Sequence, residues 1–295
     1  MSTRRLASAA TLIAICALVS LSAQQVPDRS HPPALGPAPV LKLPAVQKRQ
    51  LSNGLPVWIV ELHKVPVVQV NLVVFSGSAD DPAGKFGVAN LTAARLEEGA
   101  GARSSLEIAD AVDFLGADLS TTSGSDSSAV RLHVPVARLD DALPIMADVA
   151  LRPTFPKDEL ERARRERLTT LIEARDDPGT IASLAFSRTL YGTAHRYGTA
   201  QLGTAATLSA FTQDDLRAFY ASTFRPDNAA LIVVGDVEPE AAMTSLERAF
   251  GGWKPPVAPI SINPATGPMM RPMACAAPKS PTASPRRLTG AISAT

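Results

Sequence analysis

Metal-assisted hydrolysis on a helix needs donor side chains three and four residues apart on one face, with a carboxylate among them to activate water. Residues 87–100, GVANLTAARLEEGA, have that spacing without the donors. Their periodicity predicts a helix of about three turns, opening after the Gly-rich loop SGSADDPAGKFG and stopped by Gly99. Val88, Leu91 and Leu96 fall on one face; Asn90, Ala93, Ala94 and Glu97 fall on the other. By spacing, positions 90, 93 and 94 could jointly hold a metal and a base, and Asn, Ala and Ala can do neither job.

No other set of residues offers a better constellation. His31, His63, His133 and His195 are expected on a linker, a hairpin, a strand and a loop, without ligand spacing. The polar turn from Ser120 to Ser128 lacks the Gly-x-Ser-x-Gly elbow of a serine hydrolase, and there is no phosphate loop. Glu97 and Glu98 read as helix-surface carboxylates. A formal net charge of +1 with no basic stripe removes the electrostatic case for nucleic acid.

The elements that would position this face follow from pattern and punctuation. Asn53-Gly54, set between Leu51 and Leu55, marks a hairpin, after which Trp58, Val60 and Leu62 share one side of a strand. Residues 67–75 form a second, more buried strand. Ser104 and Glu107 make a capping box for a helix to about Leu115, with Ile108, Val112 and Leu115 inward. Strands at 118–123 and 129–134 and a helix at 139–150 come next. Pro156 opens a long charged helix, KDELERARRERLTTLIEAR, where Asp158–Arg162 and Glu161–Arg165 are spaced to pair and the charges read as a solvated face. Asp177-Pro178-Gly179 starts a helix carrying Ala182, Phe186 and Leu190 to Tyr191-Gly192. A helix around 214–220, a strand at 228–234 and an amphipathic helix at 239–250 complete the pattern. The fold class expected is α+β: a mostly antiparallel sheet of five or six strands with helices on one face.

The 87–100 frame resembles the zinc helix of the pitrilysin/insulinase family of metallopeptidases, the inverzincins, in which two His bind zinc and a Glu activates water. Gly87, Ala89 and Gly99 stand where that pattern wants them. The resemblance places the two ligand positions on Asn90 and Ala94 and the base on Ala93. It places the third ligand, a Glu of the charged helix, on Thr170, counted back from Asp176-Asp177-Pro178; Glu173 lies one turn away in another register. With all four replaced, no zinc and no catalytic residue are expected. LSNGLPVWIVE, LRPTFPKDELER, ARDDPG with YGTAHRYG, and FTQDDLRAFYASTFRPDNAALIVVGDVEP are similar to successive segments of the same family. The likeness covers residues 47–254, one repeat of the family's domain: 47–198 as its N-terminal part and 199–254 as the start of its later module.

Family members join two such repeats into a half-shell, and two half-shells close round an unstructured peptide; in small bacterial members a metal-free sister accompanies the active chain. The resemblance therefore implies a non-catalytic subunit that completes a peptide-degrading chamber. Its partners would be an active metallopeptidase and peptide substrates. Other readings stand beside it: a peptidase using unconventional ligands such as Glu97 or Glu173, a non-proteolytic scaffold subunit, or a truncated or frame-shifted fragment. The last arises because residues 255–295 are Pro-rich and end in PRRLTGAISAT, unlike a second repeat.

At the other end, Arg4 and Arg5 precede an apolar run, AATLIAICALVSL, followed by Ser22 and Ala23, the pattern of a cleaved secretory signal over residues 1–23. The run is short of the roughly 20 apolar residues a membrane span requires, so no stable span is expected after cleavage and the protein is expected in the periplasm. An uncleaved anchor, or lipidation at Cys16, are the alternatives. Cleavage would leave Cys275 as the lone cysteine and no internal disulfide. Residues 24–46 read as a Pro-rich linker.

Overall fold

A computed structural model describes residues 43–192 and 195–254. The proposed signal, Cys16, His31, linker residues 24–42, the tail 255–295 and Cys275 lie outside the described residues; 43–46 are exposed irregular chain.

The Asn-Gly turn does what its residues allow. Gly54 takes φ +87°, Leu51 and Leu55 close the turn through a 3.0 Å backbone hydrogen bond, and strands β1 (Gln47–Gln50) and β2 (Pro56–Glu61) pair antiparallel across it. Strand β3 is Val67–Val74. Gly99–Ala100 (β4) and Arg103–Ser104 (β5) form a separate small ribbon, and β6 (Asp118–Ser123), β7 (Ser128–Pro135) and β8 (Ala229–Gly235) complete the set. The main sheet runs β1-β2-β8-β3-β7-β6. Only β2 and β8 are parallel; every other pair is antiparallel. Strand β8 is apolar on both faces, as a strand at the centre of a sheet must be.

Period-two alternation decides which face is covered. Val57, Ile59, Val68, Val70, Leu72, Val130, Leu132, Leu231 and Val233 are buried beneath the helices. Trp58, Gln69, Arg131 and His133 stand exposed on the opposite face. The helices are α1 (Val88–Ala93), α2 (Ser105–Phe114), α3 (Leu139–Leu151), α4 (Lys157–Glu173), α5 (Pro178–Tyr191), α6 (Ala205–Ala210), α7 (Gln213–Thr223) and α8 (Pro239–Phe250). The capping box of α2 forms as expected, with the Glu107 carboxylate accepting from the Ser104 N–H at 2.8 Å. Ile108, Val112 and Leu115 are buried.

Two local expectations are corrected. The helix over 87–100 stops at Ala93; a 3₁₀ turn, Leu96–Glu98, follows, and Gly99 leaves at φ +153° to join β4. Tertiary pairing causes this, because the Thr154 N–H donates to the Gly99 carbonyl at 2.9 Å and Ala100 bridges Pro153. The ion pairs of α4 also differ. Arg162 bonds Glu159 and Glu166 on its own helix and reaches Glu98 at 2.8 Å, while Glu161 takes Arg164. Both partners of Arg162 on α4 stand at ordinary helical spacing, and Glu98 adds a third from outside the helix. Helix α5 buries none of its residues, and Phe186 and Leu190 are 68% and 60% exposed.

Candidate functional site

The site is built outward from a buried carboxylate. Asp81 closes the Gly-rich loop and accepts from the Gly87 N–H at 2.6 Å and the Ala89 N–H at 2.8 Å, so it satisfies orphan donors at the start of α1. Arg196 donates to the same carboxylate at 2.9 Å and lies over the Phe86 ring, 3.9 Å from its centroid. Burial pushes the Asp81 carboxyl up to about 6, against the downward pull of the Ala89 and Gly87 N–H groups and of Arg196. Gly87 is required in this clamp: it holds φ +96°, and a Cβ there would stand 2.5 Å from the Leu202 carbonyl oxygen.

With the start of α1 fixed, Asn90 comes to lie between the sheet and α4. Its Nδ2 donates to the Ser123 carbonyl at 3.3 Å. From the other side, Arg167 of α4 donates through Nη1 to Asn90 Oδ1 and through Nη2 to the Asn90 carbonyl, the latter at 3.3 Å. Ala93 is fully buried and Ala94 half-buried. Thr170 is exposed, and its hydroxyl folds back onto the Glu166 carbonyl at 3.2 Å. The fold thus places Asn90 and Ala93 on α1 and Ala94 at its C-cap, but the α4 residue that touches Asn90 is Arg167 and not Thr170.

Arg167 escaped the reading of the charged helix as a solvated face. Its clue was local: at three and four residues either side it has Ala163, Arg164, Thr170 and Leu171, whereas Arg162, Arg164 and Arg165 each have an acidic neighbour at that spacing. Desolvation, and then the charge of Arg95, push the Arg167 guanidinium down to about 10. Arg95 is itself buried and pairs with Glu98 at 3.1 Å.

The alternative carboxylates do not assemble. Glu97 accepts from the Thr121 hydroxyl at 2.7 Å, and burial raises its pKa; Glu173 is exposed at the end of α4. His63 sits between Asp236 at 2.7 Å and Glu61 at 3.4 Å, each on a different ring nitrogen, so the two acids cannot share one ion with it. Among the described residues no group of three or more His, Cys, Asp or Glu could hold a metal. Zinc, which the family resemblance implies for active members, does not fit the residues present. The Asn90 amide oxygen is taken by a cation, Ala93 and Ala94 carry no donor, and the Thr170 hydroxyl is committed to its own helix. No step is derived through it.

Asn90 thus stands where the short helix α1, held by Asp81, meets the long helix α4 on the covered side of an α+β sheet. Residues 57–207, over half the chain, match the family model described as insulinase (peptidase family M16), and 210–281 match that of the peptidase M16 inactive domain, running past residue 254 into the Pro-rich stretch. The chain belongs to peptidase family M16. It is similar to a crystal structure of a peptidase M16 inactive domain from Pseudomonas fluorescens, at 31% identity and a TM-score of 0.68, covering 74% of this chain and 53% of that one. The fold is also that of pitrilysin, at a TM-score of 0.64 and 20% identity, covering 76% of this chain and 25% of that one. An uncharacterized zinc protease of Mycobacterium leprae is 27% identical over 206 residues, 70% of this chain and 46% of that protein. The chain spans about half the length of the relatives it matches. Among the described residues no helix is long and apolar enough to cross a membrane.

Proposed function

We propose that this chain is a non-catalytic M16 subunit that completes a peptide-holding chamber with an active metallopeptidase sister in the periplasm. The observation that carries the reading is the Arg167–Asn90 contact: a fixed positive charge stands against a position that the family gives to a zinc ligand. A guanidinium there opposes a dication electrostatically and, already protonated, cannot accept a proton from water. Support for a partner comes from α5, which has apolar residues all round, Ile181, Leu184, Phe186 and Leu190, and none of them buried; a helix of that composition is ordinarily covered. The location rests on the signal-like N-terminus, and a structural neighbour, the protease PqqL of Escherichia coli, is described as periplasmic.

The test is metal content together with reconstitution. The purified chain is expected to hold no stoichiometric zinc and to cleave no peptide alone. An M16 peptidase from the same cells is expected to co-purify with it and to gain activity on its addition. Stoichiometric zinc with unaided, chelator-sensitive cleavage would sink the reading.

A further inference from the structure

The Asn53-Gly54 turn between β1 and β2 also ties down the end of α8. A helix leaves its last carbonyls without N–H partners of its own, and here a side-chain amide supplies them. Asn53 Nδ2 donates to the Phe250 carbonyl and to the Trp253 carbonyl, each at 2.9 Å. Its Oδ1 accepts from the Leu55 N–H at 3.1 Å, which sets the orientation of the amide. Beside it, Ser52 donates to the Glu247 carboxylate of α8 through its N–H at 3.0 Å and through its hydroxyl. Phe250 is fully buried, so the contacts that hold the helix end also hold a core side chain.

An asparagine followed by glycine can lose its amide unaided, because Gly54 has no Cβ to keep its backbone nitrogen from Asn53 Cγ. A bond forms from Gly54 N to Asn53 Cγ, the Cγ–Nδ2 bond breaks, and the Gly54 N–H proton leaves with Nδ2 as ammonia. Water then opens the cyclic imide at either carbonyl, leaving Asp or its β-linked isomer; nothing is oxidised or reduced. In the closed hairpin both nitrogens are engaged, since Gly54 N–H donates to the Leu51 carbonyl at 2.9 Å and Nδ2 is held by α8.

We infer that Asn53 is a deamidation site gated by its own latch: it reacts when the turn lifts from α8, and the product carboxylate prevents the turn from closing again. The product has no N–H for the Phe250 and Trp253 carbonyls. It sets a negative charge against them, at the negative end of the helix dipole and beside the carboxylate that holds Ser52. The fold thus carries an irreversible change, driven by water alone, that uncaps α8. It is independent of whether the chain is catalytic.

The test ages the purified full chain in mildly alkaline buffer beside a synthetic peptide of residues 47–58, following conversion at Asn53 by peptide mapping. The folded chain is expected to convert at least about tenfold more slowly than the peptide, because reaction waits on local opening. Glu247→Ala frees Ser52 but leaves Asn53 and Gly54 untouched, and should convert several-fold faster than the unmodified chain. Hydrogen exchange at the Gly251 and Trp253 N–H groups, which are bonded to the Glu247 and Phe250 carbonyls, reads the cap. After conversion it should quicken at least about tenfold, while amides of α2 are unchanged. Asn53→Asp should reproduce this without ageing, and Asn53→Ala should fall between, since it loses the donors but adds no charge. If Asn53→Asp does not fold, aged chain separated by ion exchange gives the same readout. Conversion as fast in the folded chain as in the peptide, or no faster in Glu247→Ala, would overturn the inference. So would unaltered exchange at both amides in the converted chain.

Discussion

Arg167 donates to both oxygens of Asn90, so the long helix α4 delivers a permanent positive charge to the middle of the short helix α1. Two elements whose contacting residues lie 77 positions apart in sequence are thereby joined at the residue that the family resemblance assigns to a zinc ligand.

Restoring the family's donors should therefore not be enough to restore the metal. The variant Asn90→His, Ala93→Glu, Ala94→His, Thr170→Glu is expected to take up zinc poorly while Arg167 remains. Two like charges about 4 Å apart repel by roughly 4 kcal/mol per unit charge at an effective dielectric near 20. Adding Arg167→Ala should raise zinc affinity at least about tenfold, measured by competition with a chromogenic chelator. Equal affinities with and without Arg167 would mean that its guanidinium does not oppose the ion.

The same charge should cost stability. Arg167→Met keeps the aliphatic packing and removes a desolvated cation whose hydrogen-bond partner is neutral, so stability should increase by about 1 kcal/mol, read as a raised melting temperature. A lowered melting point would show that its two hydrogen bonds outweigh its desolvation.

Asp81 makes the stability of the α1 clamp depend on pH. Its folded pKa of about 6 lies above its ordinary 3.8, so between those values the folded protein holds a proton that the unfolded chain has released. This carboxyl's contribution to stability is thus greatest below pH 4 and falls as pH rises towards 6. Denaturant titrations of the unmodified chain and of Asp81→Asn should diverge across that window, with the variant lacking the fall. Parallel curves would place the folded pKa near its ordinary value.

Gly87→Ala tests the backbone of the same clamp. It combines a left-handed φ of +96° with a Cβ only 2.5 Å from the Leu202 oxygen, so a loss of about 2 kcal/mol or more is expected in chemical denaturation. Gly84→Ala is the control: it shares a positive φ of +78° but meets nothing within 4 Å, so it should cost clearly less.

Sequence alone was enough for most of the secondary structure. Helix α8 spans Pro239–Phe250 as its pattern said, the Asn53-Gly54 hairpin forms, and Ser104 caps α2 through Glu107. These features are local, because capping, turn chemistry and amphipathic period act over a few residues. That Ala93 and Ala94 carry no donor atom was equally plain, since a methyl side chain lacks one in any fold. Which residues meet Asn90 was decided only by tertiary structure. Asp81 meets Arg196 from 115 residues away, Thr154 pulls Gly99 out of the helix, and Arg167 turns towards α1 because packing sets which face of α4 looks inward. Such contacts depend on how distant segments are brought together, and helical spacing within one segment carries no record of that.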